Sequence, residues 1–353
     1  MSKDLGFYHL KRYCLKCKTW PISRGFRGLL PAIILTLNII LGIRPIFKEI
    51  SNFKEDVSKC LFNIKFLSLA GLIITYNIQL LRNRDALFEM LNLLSDFNHN
   101  NVTKRVTFLE KNMESLLKTF RFVAFISANV ISYYVMWKNK CINFMITKHC
   151  FMFEYYVPFQ LEHRGIIFLI ILFQIYSINV VLNAAILYTL LYVYSFELLI
   201  ARTEILQELI SNIHLSKNKK RNYRILRPIV LYQQDFFRVF QITKNFFINF
   251  LVPVKMFHSI CLTASITDFA LRKDLLSVLL IIMSFSALLI SHTIGQRFTT
   301  AAGKVSETTY NINWYEADVS TRKDVLILLS MSQKVLMVEL PLFGSLSHVA
   351  AAK

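Results

Sequence analysis

The potentially reactive side chains of this sequence do not have the spacing of known catalytic motifs. Cys14 and Cys17 form a C-x-x-C pair, but a structural zinc site needs four ligands and no second pair follows. The sequence contains no G-x-S-x-G, H-E-x-x-H or P-loop motif, which are the marks of several hydrolase, metalloprotease and nucleotide-binding families. We therefore predict that the protein is not an enzyme and that it has no metal or cofactor.

A second group of metal-ligating side chains lies in one stretch between two apolar blocks. It consists of Cys141, His149, Cys150 and His163, which could hold a metal ion on paper. The topology argued below puts this stretch outside the cell, where a disulfide or free thiols are the better interpretation. Whether Cys141 and Cys150 are bridged stays open.

Aromatic and sulfur-containing side chains suggest a different chemistry, the binding of a small apolar ligand. Val130, Tyr133, Tyr134 and Trp137 share one face of a predicted helix. Neighbouring blocks add further candidates in their outer halves, namely Phe62, Phe66, Phe168, Phe173, Met283 and Phe285. Helix packing and the interfacial aromatic belt explain any single one of these residues better. As a set they could line an apolar pocket with a few hydroxyl groups.

Long apolar blocks must position these side chains. Of the 353 residues 54% are hydrophobic and only 18% are charged, against about 25% charged in soluble domains. A helix that crosses the hydrocarbon core needs about 20 apolar residues, and six blocks are candidates: 29–47, 61–81, 120–137, 166–200, 246–270 and 275–294. The blocks are continuous rather than alternating, which favours helices over strands. We predict an all-α polytopic membrane protein with six clear spans.

Basic residues predict the orientation of these spans. The net charge is +19, but the Lys and Arg residues lie between the blocks rather than along one face, which argues against nucleic-acid binding. Alternate connections on the amino-terminal side carry 27 of them and those on the opposite side carry 9. By the positive-inside rule the amino terminus is cytoplasmic, the reverse of a G-protein-coupled receptor. We expect a multi-pass protein of the plasma membrane.

Two segments are expected to extend the bundle into the cytoplasm. The 35 residues of block 166–200 would be about 50 Å long as a helix, against a hydrocarbon core of about 30 Å. The stretch that follows is mixed polar and apolar, so we predict cytoplasmic helices at about 200–245 and at 297–340.

Charged residues inside the spans are few. Glu197 lies at a predicted inner end, and Asp268 and Asp274 lie at outer ends; a coupled transporter usually has carboxylates near the midplane, so this class is disfavoured. Lys65 is near an outer end and can extend its ammonium group to the interface. Lys255 is deeper, where either a functional charge or a structural pair would explain it.

The segment after the sixth block resembles the carboxy-terminal signature of insect odorant receptors. It has Gly295-Gln296, then Ser306, then TTYNINWYEADVSTRKDVLILLSMSQK over 308–334. The positions that match the family are Tyr310, Trp314, Tyr315, Arg322, Lys323, Ser332, Gln333 and Lys334.

The resemblance implies an odorant-tuning subunit of a ligand-gated cation channel. Such subunits form heteromeric tetramers with a shared co-receptor, contact one another through cytoplasmic helices and detect small volatile molecules in olfactory neurons. The matching positions are therefore expected to serve in subunit assembly. Alternatives are a gustatory receptor of the same superfamily and a non-conducting truncated isoform. The latter follows from 341–353, which we interpret as the incomplete start of a seventh span that is too short to cross the membrane.

Overall fold

The computed structural model describes residues 57–96, 104–138 and 164–347. The helices in chain order are α1 (Val57–Arg82), α2 (Arg84–Ser95), α3 (Lys104–Lys138), α4 (Arg164–Ser211), α5 (Lys219–Arg272), α6 (Leu275–Tyr310) and α7 (Val319–Ser332), with a 3-10 turn at Trp314–Glu316. Two short strands, β1 (Glu339–Leu340) and β2 (Gly344–Ser345), follow as an antiparallel hairpin. The prediction of an all-α fold is confirmed. The first predicted span, 29–47, lies outside the described residues.

Three helical segments in the described ranges are long and apolar enough to cross a membrane. They are Ser115–Tyr134, Lys219–Arg272 and Leu275–Glu316, and a shorter apolar helix covers Cys60–Tyr76. The block at 166–200 forms the first part of α4. The total of six spans stays a prediction.

The outer surface of the bundle is suited to lipid. Phe122 and Phe125 of α3 and Leu169 of α4 are each more than half exposed. In water such side chains would favour burial, whereas hydrocarbon solvates them as well as a protein interior does. The exposed apolar face of α3 is therefore the face expected of a membrane helix.

The inner ends of α4, α5 and α6 pack against one another through aromatic rings. Phe240 of α5 stacks on Phe298 of α6 with ring centroids 5.0 Å apart, and Phe196 of α4 meets Phe298 edge to face at 5.7 Å. Each helix contributes one ring, and all three rings are buried. Edge-to-face and offset stacks add about 0.5–1.5 kcal/mol beyond burial alone, so this cluster fixes the inner part of the bundle.

The helices α5 and α7 begin at caps that the sequence encodes. Asn218 precedes α5 and accepts a hydrogen bond from the Arg221 N–H, and Asp318 precedes α7 and accepts from the N–H groups of Ser320 and Thr321. Asn and Asp are favoured at this position because their side chains satisfy amide donors that the first turn leaves open. These caps explain why the helices begin where they do.

A proline inside α5 is compensated by a neighbouring helix. Pro253 has no N–H group, so the carbonyl of Asn249 loses its partner within the helix. The side-chain amide of Gln79 at the inner end of α1 donates to this carbonyl at 2.9 Å. The two helices are thereby joined at the proline.

The segment after α7 turns back onto the membrane helices. The Leu346 N–H donates to the Val338 carbonyl at 2.9 Å and extends the hairpin, and both side chains are buried. Leu346 rests on Gly295 of α6, where a Cβ atom would come within 2.5 Å of the leucine Cβ. Residues 341–347, assigned from the sequence to the start of a seventh span, form the turn and second strand of this hairpin rather than a helix.

Candidate functional site

A buried ion pair joins three helices near their predicted outer ends. The Lys65 ammonium of α1 donates to Asp268 Oδ2 of α5 at 2.5 Å and to Ser277 Oγ of α6 at 3.0 Å. Ser277 Oγ in turn donates to Asp268 Oδ2 at 2.9 Å. The expectation that Lys65 extends to the interface is therefore wrong, because a carboxylate on the adjacent helix gives the ammonium a partner inside the protein.

A second polar contact links α3 to the start of α6. The Tyr134 hydroxyl donates to Asp274 Oδ1 at 2.7 Å. Asp274 is the N-cap residue of α6 but makes no capping bond to the helix, so its carboxylate is directed to the tyrosine. Tyr134 thus combines a predicted pocket position with a polar link between two helices.

The other predicted pocket residues fall into two groups. Phe62, Phe66 and Phe173 are half-buried, and the Lys65 ammonium lies 5.8 Å from the centre of the Phe62 ring. Five residues are instead exposed on the outside of the single chain: Val130, Tyr133, Phe168, Met283 and Phe285. The side chain of Trp137 lies outside what the structure describes.

A small, partly open cavity lies between α1, α4, α5 and α6. It has a volume of about 30 Å³, and its walls include Tyr76, Tyr192, Lys255, His258 and Ser291. Ligand pockets for organic molecules usually measure about 300–1,000 Å³, so this cavity is too small to hold a whole odorant. None of the ten predicted pocket residues lines it.

Lys255 is buried beside this cavity. Its ammonium group lies 2.8 Å from His292 Nε2 of α6, and the other ring nitrogen, Nδ1, lies 2.9 Å from the Ser347 carbonyl oxygen. The Phe343 ring of the hairpin covers the ammonium at 5.7 Å. Lys255, which the sequence places deep in its span, thus takes part in a polar link between α5, α6 and the hairpin.

A buried arginine fixes the inner end of α2. The Arg202 guanidinium on α4 donates to the carbonyls of Leu93 and Asp96, the latter at 2.7 Å. These carbonyls belong to the end of α2, where helical partners are lacking and a positive charge is favoured. Asp235 of α5 contributes a carboxylate 3.4 Å away.

An open groove on the predicted cytoplasmic side contains two of the residues predicted for subunit assembly. It has a volume of about 460 Å³ and lies between the end of α6 and α7, where Tyr310 and Gln333 line it. Trp314 and Tyr315 follow in the 3-10 turn with rings 6.1 Å apart, edge to face. Tyr310, Trp314 and Tyr315 are all exposed, so this surface offers aromatic area that no described residue covers.

The remaining positions predicted for assembly hold the segment around α7 together or are exposed. Arg322 donates to the Ala317 and Tyr315 carbonyls at 2.9 and 2.7 Å and so fixes the 3-10 turn. Ser332 is buried between helices, where it accepts from the Gln233 amide at 2.9 Å. Lys323 and Lys334 are exposed. Ser332 therefore belongs to the packing of α7 on α5 rather than to the surface.

A hydrogen-bonded cluster anchors the start of α7. Thr321 Oγ1 donates to Asp318 Oδ2 at 2.5 Å, and the Asn222 amide of α5 donates to the same carboxylate oxygen at 3.3 Å. The Thr321 hydroxyl is the main cause that lowers the pKa of Asp318 below its ordinary value of 3.8. The hydrogen bonds of the cap therefore stabilise the charged carboxylate of Asp318.

Sequence reasoning missed the buried charges because their partners are far apart in the chain. Lys65 and Asp268 are separated by 203 positions. A usable signal existed, since two residues of opposite charge were both placed near outer ends of spans. For Arg202 and Lys255 the sequence held no comparable indication of the carbonyl and histidine partners.

Comparisons with known proteins agree with this architecture. The model of the 7tm Odorant receptor family matches residues 58–347. The solved structure of the insect olfactory receptor OR5 from Machilis hrabei is similar with a TM-score of 0.71 and 13% sequence identity, over 98% of this chain and 95% of that chain. The same receptor in complex with eugenol gives the same values. At this identity the likeness shows the fold. No curated protein matches the chain.

Proposed function

Since the chain belongs to the odorant receptor family, we propose that it is an odorant-tuning subunit of a ligand-gated cation channel. In this proposal it assembles with a shared co-receptor into a heteromeric tetramer. The complex lies in the plasma membrane of olfactory neurons with the amino terminus of this chain in the cytoplasm, and it responds to small volatile molecules. The family match favours this function over a gustatory receptor.

The observation that carries the assembly proposal is the exposed aromatic surface beside the 3-10 turn. Tyr310, Trp314 and Tyr315 are exposed on a well-packed segment, and in the proposed topology this segment lies in the cytoplasm, where lipid cannot cover them. Contiguous exposed apolar area on a soluble surface commonly marks a protein contact, and buried Trp and Tyr side chains often supply about 2 kcal/mol or more each to an interface. A co-receptor subunit is the partner that we assign to this surface.

The odorant site is proposed near the outer ends of α1, α3 and α4. Tyr134 provides a hydroxyl group there, and Phe62, Phe66 and Phe173 provide half-buried apolar area. The Machilis hrabei receptor has been solved in complex with eugenol, so eugenol is a suitable probe to include in an odorant panel.

The test is co-expression with the co-receptor in cells that lack odorant receptors. We expect odorant-evoked cation current from cells that contain both chains and none from either chain alone. Equal currents from cells with the co-receptor alone would contradict the tuning role. Co-purification of the two chains without any evoked current would support a non-conducting subunit instead of the proposed channel subunit.

The variant Trp314→Ala tests the assembly surface within the same system. Removal of the indole should reduce co-purification with the co-receptor by about tenfold or more, because a loss of about 2 kcal/mol corresponds to this change. Trp314→Phe keeps an aromatic ring and should retain most of the association. If Trp314→Ala associates as well as the unmodified chain, this surface is not the contact.

A further inference from the structure

The described part of the chain buries three cationic side chains, and one of them differs from the other two. Lys65 is paired with the Asp268 carboxylate and Arg202 with the Asp235 carboxylate. Lys255 is only 3% exposed, but its contacts are a histidine nitrogen and an aromatic face. Neither partner carries a negative charge. A buried charge without a counter-charge is strongly unfavourable.

The hydrogen bonds of His292 show which of its ring nitrogens accepts from Lys255. The Ser347 carbonyl oxygen can only accept a hydrogen bond, so His292 Nδ1 must donate to it at 2.9 Å. In the neutral imidazole the other nitrogen, Nε2, then has a free electron pair and accepts from the Lys255 ammonium at 2.8 Å. Lys255 is therefore the donor of this hydrogen bond and His292 Nε2 is its acceptor.

The cavity between α1, α4, α5 and α6 provides space for a counter-charge. Lys255 lines the cavity, whereas His292 and Phe343 do not. The cavity is therefore a surrounding of Lys255 that these two partners do not share. His258, one helical turn further along α5, also lines it, and its Nδ1 atom is buried without a hydrogen-bond partner in the described chain. Two residues with nitrogen-bearing side chains, Lys255 and His258, thus line one cavity.

The size of the cavity limits what can enter it. A water molecule needs about 10–15 Å³ of space measured with a water-sized probe, and the cavity offers about 30 Å³. A single small ion or a terminal group of two or three heavy atoms fits, whereas a phosphate ester with its substituents does not. The aromatic and aliphatic walls, among them Phe250 and Val254, favour a weakly hydrated monoanion over a dianion.

We propose that this cavity binds a small monoanion between the Lys255 ammonium and His258. The occupant is either chloride or the carboxylate head group of a short organic acid, and both present the same single negative charge. The anion neutralises Lys255 and accepts the Nδ1–H of His258. The site is distinct from the proposed odorant site, since no residue of that site lines the cavity.

Thermal unfolding of the purified full-length chain in detergent tests this proposal. The midpoint is measured in sodium chloride, acetate or butyrate against sodium gluconate at the same ionic strength, because the polyhydroxylated chain of gluconate does not suit an apolar cavity. At concentrations several times the dissociation constant, a bound anion should raise the midpoint by about 2–4 °C. A rise with chloride alone identifies an inorganic occupant. A rise with acetate and at least as large a rise with butyrate identify a carboxylate head group.

Variants separate this site from general screening of the basic surface. Lys255→Met keeps an apolar chain of similar length and should abolish the anion-dependent rise. Lys244→Met, on the same helix but outside the cavity, should keep it. Should Lys255→Met not fold, His258→Phe removes the second nitrogen group and should reduce the rise at least by half. The proposal is overturned if no anion shifts the midpoint of the unmodified chain, or if the cavity variants respond as Lys244→Met does.

Discussion

At the scale of single residues, buried cations in this receptor are held by three kinds of partner. Lys65 has a carboxylate and a hydroxyl group, Arg202 has helix-end carbonyls with a carboxylate, and Lys255 has a histidine and an aromatic ring. The difference matters because the cost of burying a charge depends on the groups that replace its water. The Lys65 pair is the clearest case in which both charges lie inside the bundle.

We expect Lys65→Met to destabilise the protein by about 3–5 kcal/mol, because it leaves the buried Asp268 carboxylate without its partner. The double variant Lys65→Met, Asp268→Leu should recover most of this loss, since an apolar pair of similar volume avoids the desolvation cost. The measurement is equilibrium unfolding in detergent, with Lys304→Met at an exposed position of α6 as the control. A single variant as stable as the unmodified chain would show that Asp268 is satisfied by other groups.

At the scale of helices and loops, the side chain of Asp318 stabilises a whole segment, because it caps α7. The hydrogen bonds to Asp318 come from Ser320, Thr321 and Asn222, so the cap also ties α7 to α5. The exposed aromatic surface at the 3-10 turn directly precedes this cap. A weaker cap should therefore loosen the surface that we assign to the co-receptor.

The pH dependence of this cap follows from the lowered pKa of Asp318. Because the folded-state pKa lies below the unfolded value, the stabilisation is present above the unfolded pKa of about 4 and is lost as the pH falls through the folded pKa. Asp318→Asn keeps an amide oxygen that can cap the helix and should remove this dependence on acid. Hydrogen exchange of the α7 amides measures the effect; it should be faster in Asp318→Ala at neutral pH and nearly unchanged in Asp318→Asn. Equal exchange in all three chains would mean that the cap does not control α7.

Helix positions could be predicted from the sequence more readily than helix faces. Continuous apolar blocks identified the helices that contain 61–81, 120–137, 166–200, 246–270 and 275–294, because the membrane requires long apolar segments. The direction of a face is a different problem. Val130 and Tyr133 share a face with Tyr134, yet they are exposed while the Tyr134 hydroxyl bonds inside the protein. In lipid an apolar residue is suited to either side of a helix, so periodicity alone does not say which side is the pocket.

The hairpin after α7 also lay beyond sequence reasoning. Its strands contain only two residues each, which is too short for an alternating pattern to appear. Its position depends on contacts with Gly295 and His292, far earlier in the chain. The Gly-Gln pair at the end of the sixth block was noted as part of a signature, but its steric role for Leu346 could be seen only in the structure.

At the scale of the whole molecule, the inner part is the better packed. At 1.5 Å per residue, α4 with 48 residues and α5 with 54 residues are about 70 and 80 Å long. Both exceed the hydrocarbon thickness of about 30 Å, and the ring cluster of Phe196, Phe240 and Phe298 lies towards the ends that the charge bias predicts to be cytoplasmic. A bundle that is open to lipid at one end and compact at the other has this geometry.

Orientation of the whole chain can be tested at its only glycosylation sequon, Asn101-Val102-Thr103, which lies outside the described residues. The charge bias places it in the cytoplasm, so we expect no glycan at Asn101. The substitution Met145→Thr creates the sequon Asn143-Phe144-Thr in the predicted outer connection and serves as the positive control. Sensitivity of the gel mobility to endoglycosidase is the measurement. A glycan on Asn101 would reverse the proposed topology.

The hydrogen bond from Gln79 to the carbonyl freed by Pro253 has a consequence for the evolution of this family. If Pro253 were replaced by a residue with an N–H group, the helix of α5 could close its own bond to the Asn249 carbonyl, and Gln79 would lose the acceptor that holds it. If Gln79 were lost first, the carbonyl would remain without a partner next to the membrane. Gln79 and Pro253 are therefore expected to be inherited together, and lineages that lose the proline should be the ones in which the glutamine is free to change.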